Sequence, residues 1–80
     1  DSAPAFARDV FKEAIRWGAV ALMVAHNHPS GDPTPSKADF AFTERLVALA
    51  RIAEMRFLDH LVFGDAGYAS IRSLAPSLFK

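Results

Sequence analysis

Residues 26–39 read H-N-H-P-S-G-D-P-T-P-S-K-A-D: two histidines one residue apart, then a serine and an aspartate where a helix begins. Pro29, Pro33 and Pro35 push the residue before each of them, His28, Asp32 and Thr34, toward extended backbone, so the segment is a stiff loop. In extended backbone residues i and i+2 project to the same side, so His26 and His28 can converge on one ion. Asp39, in the first turn of the following helix, can swing back toward them. Two imidazoles and one carboxylate make a three-ligand zinc set that leaves a fourth position open, the pattern of catalytic rather than structural zinc. A zinc so held lowers the pKa of its bound water to near ~7 and polarises a scissile carbonyl. Ser36, on the same turn, is placed to donate to the oxyanion that forms when that carbonyl is attacked.

The flanks say where this stretch sits. Upstream, Ala19–Ala25 is an unbroken apolar run, the pattern of a strand covered on both faces, and its end delivers His26. Before it, apolar residues at Phe6, Val10, Ala14 and Trp17, widened by Phe11 and Ile15, predict a helix from about Pro4 or Ala7 to Trp17. Gly18 is its natural C-terminal cap, and Trp17 reads as core. Downstream, Lys37–Glu54 reads as a second helix with Ser36 as N-cap and Phe42, Leu46, Leu49, Ala50 and Ala53 as its buried stripe. Phe57–Phe63 reads as a strand, Gly64-Asp65-Ala66-Gly67 as a turn, and Tyr68–Ile71 as the hairpin partner. Arg72–Lys80 is a short apolar coil or helical turn broken at Pro76. Helix–strand–helix–strand–strand in one unit predicts a single α/β domain over residues 1–80. All four site residues then lie beyond a strand's carboxyl end, where open α/β sheets hold their ligands.

Composition narrows the function classes. Eighty residues bury only about 60% of the surface the unfolded chain exposes, so a metal or a partner has stability to add. Half the residues are hydrophobic, which argues against disorder. Nine basic residues balance nine acidic ones, so net charge leaves no electrostatic footprint for nucleic acid. With no cysteine there is no disulfide framework, no cysteine zinc finger and no Cys-dependent deaminase site. The longest apolar run is far too short to span a bilayer. No secretory leader or initiator methionine opens the chain, which reads as a cytoplasmic, excised domain or processed fragment.

Each motif also has a plainer reading. Ser36-x-x-Asp39 satisfies a capping box and would occur for helix-start reasons alone. His-x-His in a loop is weak by itself, and the prolines need only stiffen the chain. Asp59 and His60 interrupt an apolar strand and read as hydrogen-bonded structural residues in preference to supports for the metal ligands. Tyr68 reads as strand packing rather than as a stacking platform.

Taken together, H-x-H-x(7)-S-x-x-D resembles the metal-binding core of the JAMM/MPN metalloprotease family, which His26, His28, Ser36 and Asp39 fit without a gap. The longer string HNHPSGDPTPS, with Leu58-Asp59-His60 after the second helix, resembles the bacterial RadC branch. The resemblance runs from the first helix through Tyr68-Ala69-Ser70. It implies a cytidine-deaminase-like, three-layer α/β sandwich, zinc held by His26, His28 and Asp39, and Ser36 as oxyanion donor. It further implies hydrolysis of amide or isopeptide bonds of a peptide substrate by metal-activated water. The family's general base is a glutamate on a strand before the first helix, and this chain opens at that helix. Its glutamates, Glu13, Glu44 and Glu54, all fall on predicted helices away from the loop, and the base is assigned to none of them. The expectation is a domain that binds zinc and hydrolyses poorly. A fold lacking the family's first strands is also expected to self-associate into a homo-oligomer through an unpaired strand edge. Two other readings remain: a DNA-repair-associated module, against which the neutral charge counts, and a non-catalytic, zinc-stabilised interaction domain.

Overall fold

The computed structural model describes residues 3–80, with side chains from Ala7 onward, so the expected role of Phe6 lies outside the described side chains. Helix α1 spans Ala3–Arg16 and strand β1 Ala21–Asn27; helix α2 follows at Lys37–Ile52. Strands β2 (Arg56–Phe63) and β3 (Tyr68–Ser70) come next, then a short helix α3 (Ile71–Leu74) and a 3₁₀ turn at Pro76–Phe79. The sheet order is β1-β2-β3, with β1 parallel and β3 antiparallel to β2. This mixed α/β element order is the one the sequence predicts. No helix among the described residues is long and apolar enough to cross a membrane.

One hydrophobic cluster joins the layers: Ala7 and Phe11 of α1, Phe42, Leu46, Val47 and Ala50 of α2, and Phe57 of β2. Leu22 and Val24 pack against it from β1. The helices thus cover one face of β1, while Met23, Ala25 and Asn27 on the other face are exposed. An unbroken apolar run therefore did not mean a strand covered on both faces here. Trp17 is likewise not core: it is 78% exposed, next to Val20 at 80%. It is the last residue before Gly18 (φ +66°), where the chain leaves the helix.

Both long helices end in the same way. Gly18 N–H donates to the Ile15 carbonyl at 3.0 Å and Ala19 N–H to that of Ala14 at 2.9 Å, a Schellman motif. In α2 Glu54 (φ +59°) takes the left-handed place, donating to Arg51, and Met55 N–H reaches the Ala50 carbonyl at 2.8 Å. The helix predicted to reach Glu54 therefore stops at Ile52, because a glutamate fills a position that usually carries glycine.

Strand β2 departs from simple alternation. Leu22 pairs with Phe57 but Val24 with His60, so β2 carries one extra residue opposite Met23. Such a bulge re-aims the side chains beyond it. Phe57, His60 and Val62 are buried, three and then two residues apart. Asp59 fixes the bulge: its carboxylate accepts from His60 N–H at 2.7 Å, Arg72 N–H at 3.0 Å and the Ser70 hydroxyl at 2.5 Å.

The loop after β1 is braced against the β2–β3 turn. His28 N–H donates to the Phe63 carbonyl at 2.9 Å, continuing the β1–β2 pairing past Asn27, and Asp65 N–H donates to the Gly31 carbonyl at 2.8 Å. The two backbones approach so closely that a Cβ on Gly64 would overlap the Gly31 carbonyl oxygen and the Pro33 ring. Gly64→Ala is expected to cost about 1–3 kcal/mol, as overpacking does, and to push the loop away from β2. A lower urea midpoint together with weaker metal affinity is the expected result.

Candidate metal centre

The end of β1, the braced loop and the start of α2 meet at His26, His28 and Asp39. One ligand atom from each lies within 4.8 Å of the other two, so the group can hold a metal ion. Asp39 Oδ1 is 3.3 Å from His26 Nε2, and Oδ2 is 2.9 Å from His28 Nε2. The side chains are 37%, 19% and 14% exposed for His26, His28 and Asp39, so the group is half-buried yet open on the His26 side. Asn27, between the histidines, is exposed.

The helix start holds the carboxylate. Ser36 Oγ accepts from Asp39 N–H at 3.1 Å, and Asp39 Oδ2 accepts from Ser36 N–H at 2.8 Å, a reciprocal capping box. The plain reading of Ser36-x-x-Asp39 and the functional one thus coexist, because the capping carboxylate is the one that faces both imidazoles. Burial pushes the Asp39 carboxyl up, but hydrogen bonds from Ser36 and His28 and the charge of His26 outweigh it, and its pKa lies below the usual carboxylate value. Asp39 stays ionised, as a metal ligand must. The Ser36 hydroxyl accepts in the cap, which does not use its own proton.

The loop presents His28. Ser30 Oγ accepts from Asp32 N–H, and Asp32 Oδ1 accepts from the N–H and hydroxyl of Thr34, which hold the Asp32 carboxyl below its ordinary pKa. The turn directs the Asp32 carbonyl at His28 Nδ1, 2.9 Å away. A carbonyl only accepts, so Nδ1 carries a proton and Nε2 is the nitrogen left to coordinate. Nε2 in turn faces a carboxylate, also an acceptor. Two acceptors on one ring are satisfied by an imidazolium or by a metal at Nε2. The Asp32 carbonyl does most to raise the His28 pKa; desolvation opposes it, and Asp39 adds to the rise.

A third histidine lies beneath. His60 is 1% exposed; its Nε2 is 2.9 Å from His26 Nδ1, and its Nδ1 is 2.8 Å from Thr43 Oγ1. Burial, with the neighbouring His26, lowers its pKa and keeps the ring neutral. Thr43 is fully buried and donates to the Asp39 carbonyl at 2.8 Å. The structural reading of His60 holds in that it is buried and hydrogen-bonded, but its partner, His26, is a residue of the candidate metal group. Strict alternation along β2 hides this. Thr43, one turn after Asp39, was the available signal, a polar residue inside an apolar stripe.

Comparison with known proteins places these features in context. The family model described as "RadC-like JAB domain" matches residues 1–75. A UPF0758 protein of Symbiobacterium thermophilum is 57% identical over 65 residues, 81% of this chain and 28% of that protein. A UPF0758 protein of Moorella thermoacetica is 49% identical over 72 residues, 90% of this chain and 31% of its own length. The chain therefore spans less than a third of the curated relatives it matches.

Proposed function

The chain belongs to the RadC-like JAB domain family, and from that premise we propose that His26, His28 and Asp39 hold one zinc ion in a metallohydrolase centre for amide or isopeptide bonds. The observation that carries the reading is the His28 ring, whose two nitrogens both face acceptors. Borderline nitrogen and carboxylate donors in a three-residue set suit zinc. When bound, zinc supplies Lewis-acid polarisation of a carbonyl and activation of water.

The chain's own residues do the rest. Asp39 contributes negative charge at the head of α2, where the helix dipole already attracts it. Ser36 orients Asp39 through its backbone N–H and keeps a hydroxyl proton to donate to a developing oxyanion. The Gly31–Gly64 contact holds the loop, and with it His28, in register with β2. Glu13, Glu44 and Glu54 are exposed and stand outside the metal group. None of them is assigned as proton acceptor, so hydrolysis by these 80 residues alone is expected to be slow.

The reading is tested by zinc affinity as a function of pH, measured by chelator competition. A metal at Nε2 displaces the proton that the raised His28 pKa retains. Affinity should be constant at high pH and begin to fall as pH drops through a value above the usual ~6.5 of imidazole. An affinity that does not change between pH 8 and pH 5.5 would remove His28 from the ligand set.

A further inference from the structure

We propose that His60 and Thr43 are positioning residues that fix the tautomer of His26, leaving its Nε2 unprotonated and directed at the ion. The argument is one of donors and acceptors along a single chain of contacts. The Asp39 carbonyl can only accept, so the Thr43 hydroxyl, 2.8 Å away, spends its one proton there. Thr43 Oγ1 is then the acceptor for His60 Nδ1 at 2.8 Å, and that nitrogen bears the proton. His60 is buried beneath Phe42, whose ring meets it edge-on with centroids 6.1 Å apart, an environment that disfavours a charged imidazole. In the neutral ring a proton on Nδ1 makes Nε2 an acceptor. His26 Nδ1, 2.9 Å from that Nε2, must therefore be the donor. His26 Nε2 is then the nitrogen left for the ion, on the side of Asp39 Oδ1.

The chain begins and ends on Asp39: its carbonyl orders the protons, and its carboxylate stands beside the nitrogen they release. Metal-binding histidines usually donate their second N–H to a carboxylate, a carbonyl or water. Here a third histidine serves, and the β2 bulge held by Asp59 turns its ring inward to do so. Every polar side-chain atom buried among the described residues is satisfied, and the contact that sets the proton order at Thr43 is its hydroxyl's 2.8 Å bond to the Asp39 carbonyl.

The inference rests on the metal reading for its consequence but not for its geometry, so the two can fail separately. Long-range proton–nitrogen NMR of the metal-free chain near pH 8 should find a proton on Nδ1 of both His26 and His60. Free imidazole side chains favour the Nε2–H form, so the expected pattern is distinctive. His60→Leu, which keeps bulk and removes the acceptor, should weaken zinc about 10–100-fold and alter the d–d spectrum of the cobalt-loaded chain. His60→Gln, which restores an acceptor amide oxygen, should recover most of that affinity, and Thr43→Val should return His60 to a tautomer mixture. A bare, unprotonated Nδ1 at His26 in the unmodified chain would overturn the proposal whether or not any variant folds. So would wild-type affinity in folded His60→Leu. A proton on both Nδ1 atoms without zinc uptake would support the relay and sink the metal reading instead.

Discussion

Asp39→Asn is expected to abolish high-affinity metal binding while leaving the fold in place. The asparagine oxygen still accepts from Ser36 N–H, so the cap that Asp39 forms at 2.8 Å survives, and cap loss would in any case cost only about 0.5–2 kcal/mol. What disappears is the only carboxylate in the three-residue group. Two neutral imidazoles then face a neutral amide, and the affinity should fall by more than the roughly 10–100-fold expected on removing an outer partner such as His60. Thermal unfolding reads this directly. Saturating metal at about 100 times its dissociation constant stabilises a folded protein by ~2.7 kcal/mol. The unmodified chain should therefore gain several degrees with zinc, and Asp39→Asn should gain none. An equal gain in both would place the metal elsewhere.

Leu46→Ala is expected to be the most destabilising single truncation. Leu46 is 0% exposed, at the centre of the cluster that joins α1, α2 and β2. Large-to-small changes at such positions cost about 2–5 kcal/mol, through lost burial and the cavity left behind. At ~0.05–0.15 kcal/mol per residue, an 80-residue domain has a total of about 4–12 kcal/mol, so this one change removes a large fraction. Trp17→Ala is the matched contrast: the larger side chain is lost, but at 78% exposure the expected change is within about 0.5 kcal/mol. Urea denaturation of the two variants should rank them in that order, and the reverse order would put the core on the other side of α1.

The comparison of Leu46 with Trp17 shows what the sequence made legible. The stripe of α2 is read from Phe42, Leu46 and Ala50, because a helix sixteen residues long repeats its apolar face often enough to be seen. Trp17 sits where α1 ends and the chain turns at Gly18, so the helical period no longer governs which way it points. The end of α1 was legible because glycine occupies the left-handed position; the end of α2 was not, because Glu54 does. The candidate ligands were legible because metal chemistry demands their types and spacing, and the prolines and Ser36 supply the backbone for it. His60 was not, because its direction depends on the extra residue in β2, and a bulge leaves no periodic mark. Thr43 owes its role to contacts across three elements, which no local pattern records.

The most direct measurement of the central claim is the metal content of the purified chain and of Asp39→Asn after equilibration with zinc and removal of loosely bound ions. The account predicts one zinc per chain in the first and none in the second. Zinc retained by folded Asp39→Asn, or absent from the unmodified chain, would contradict it.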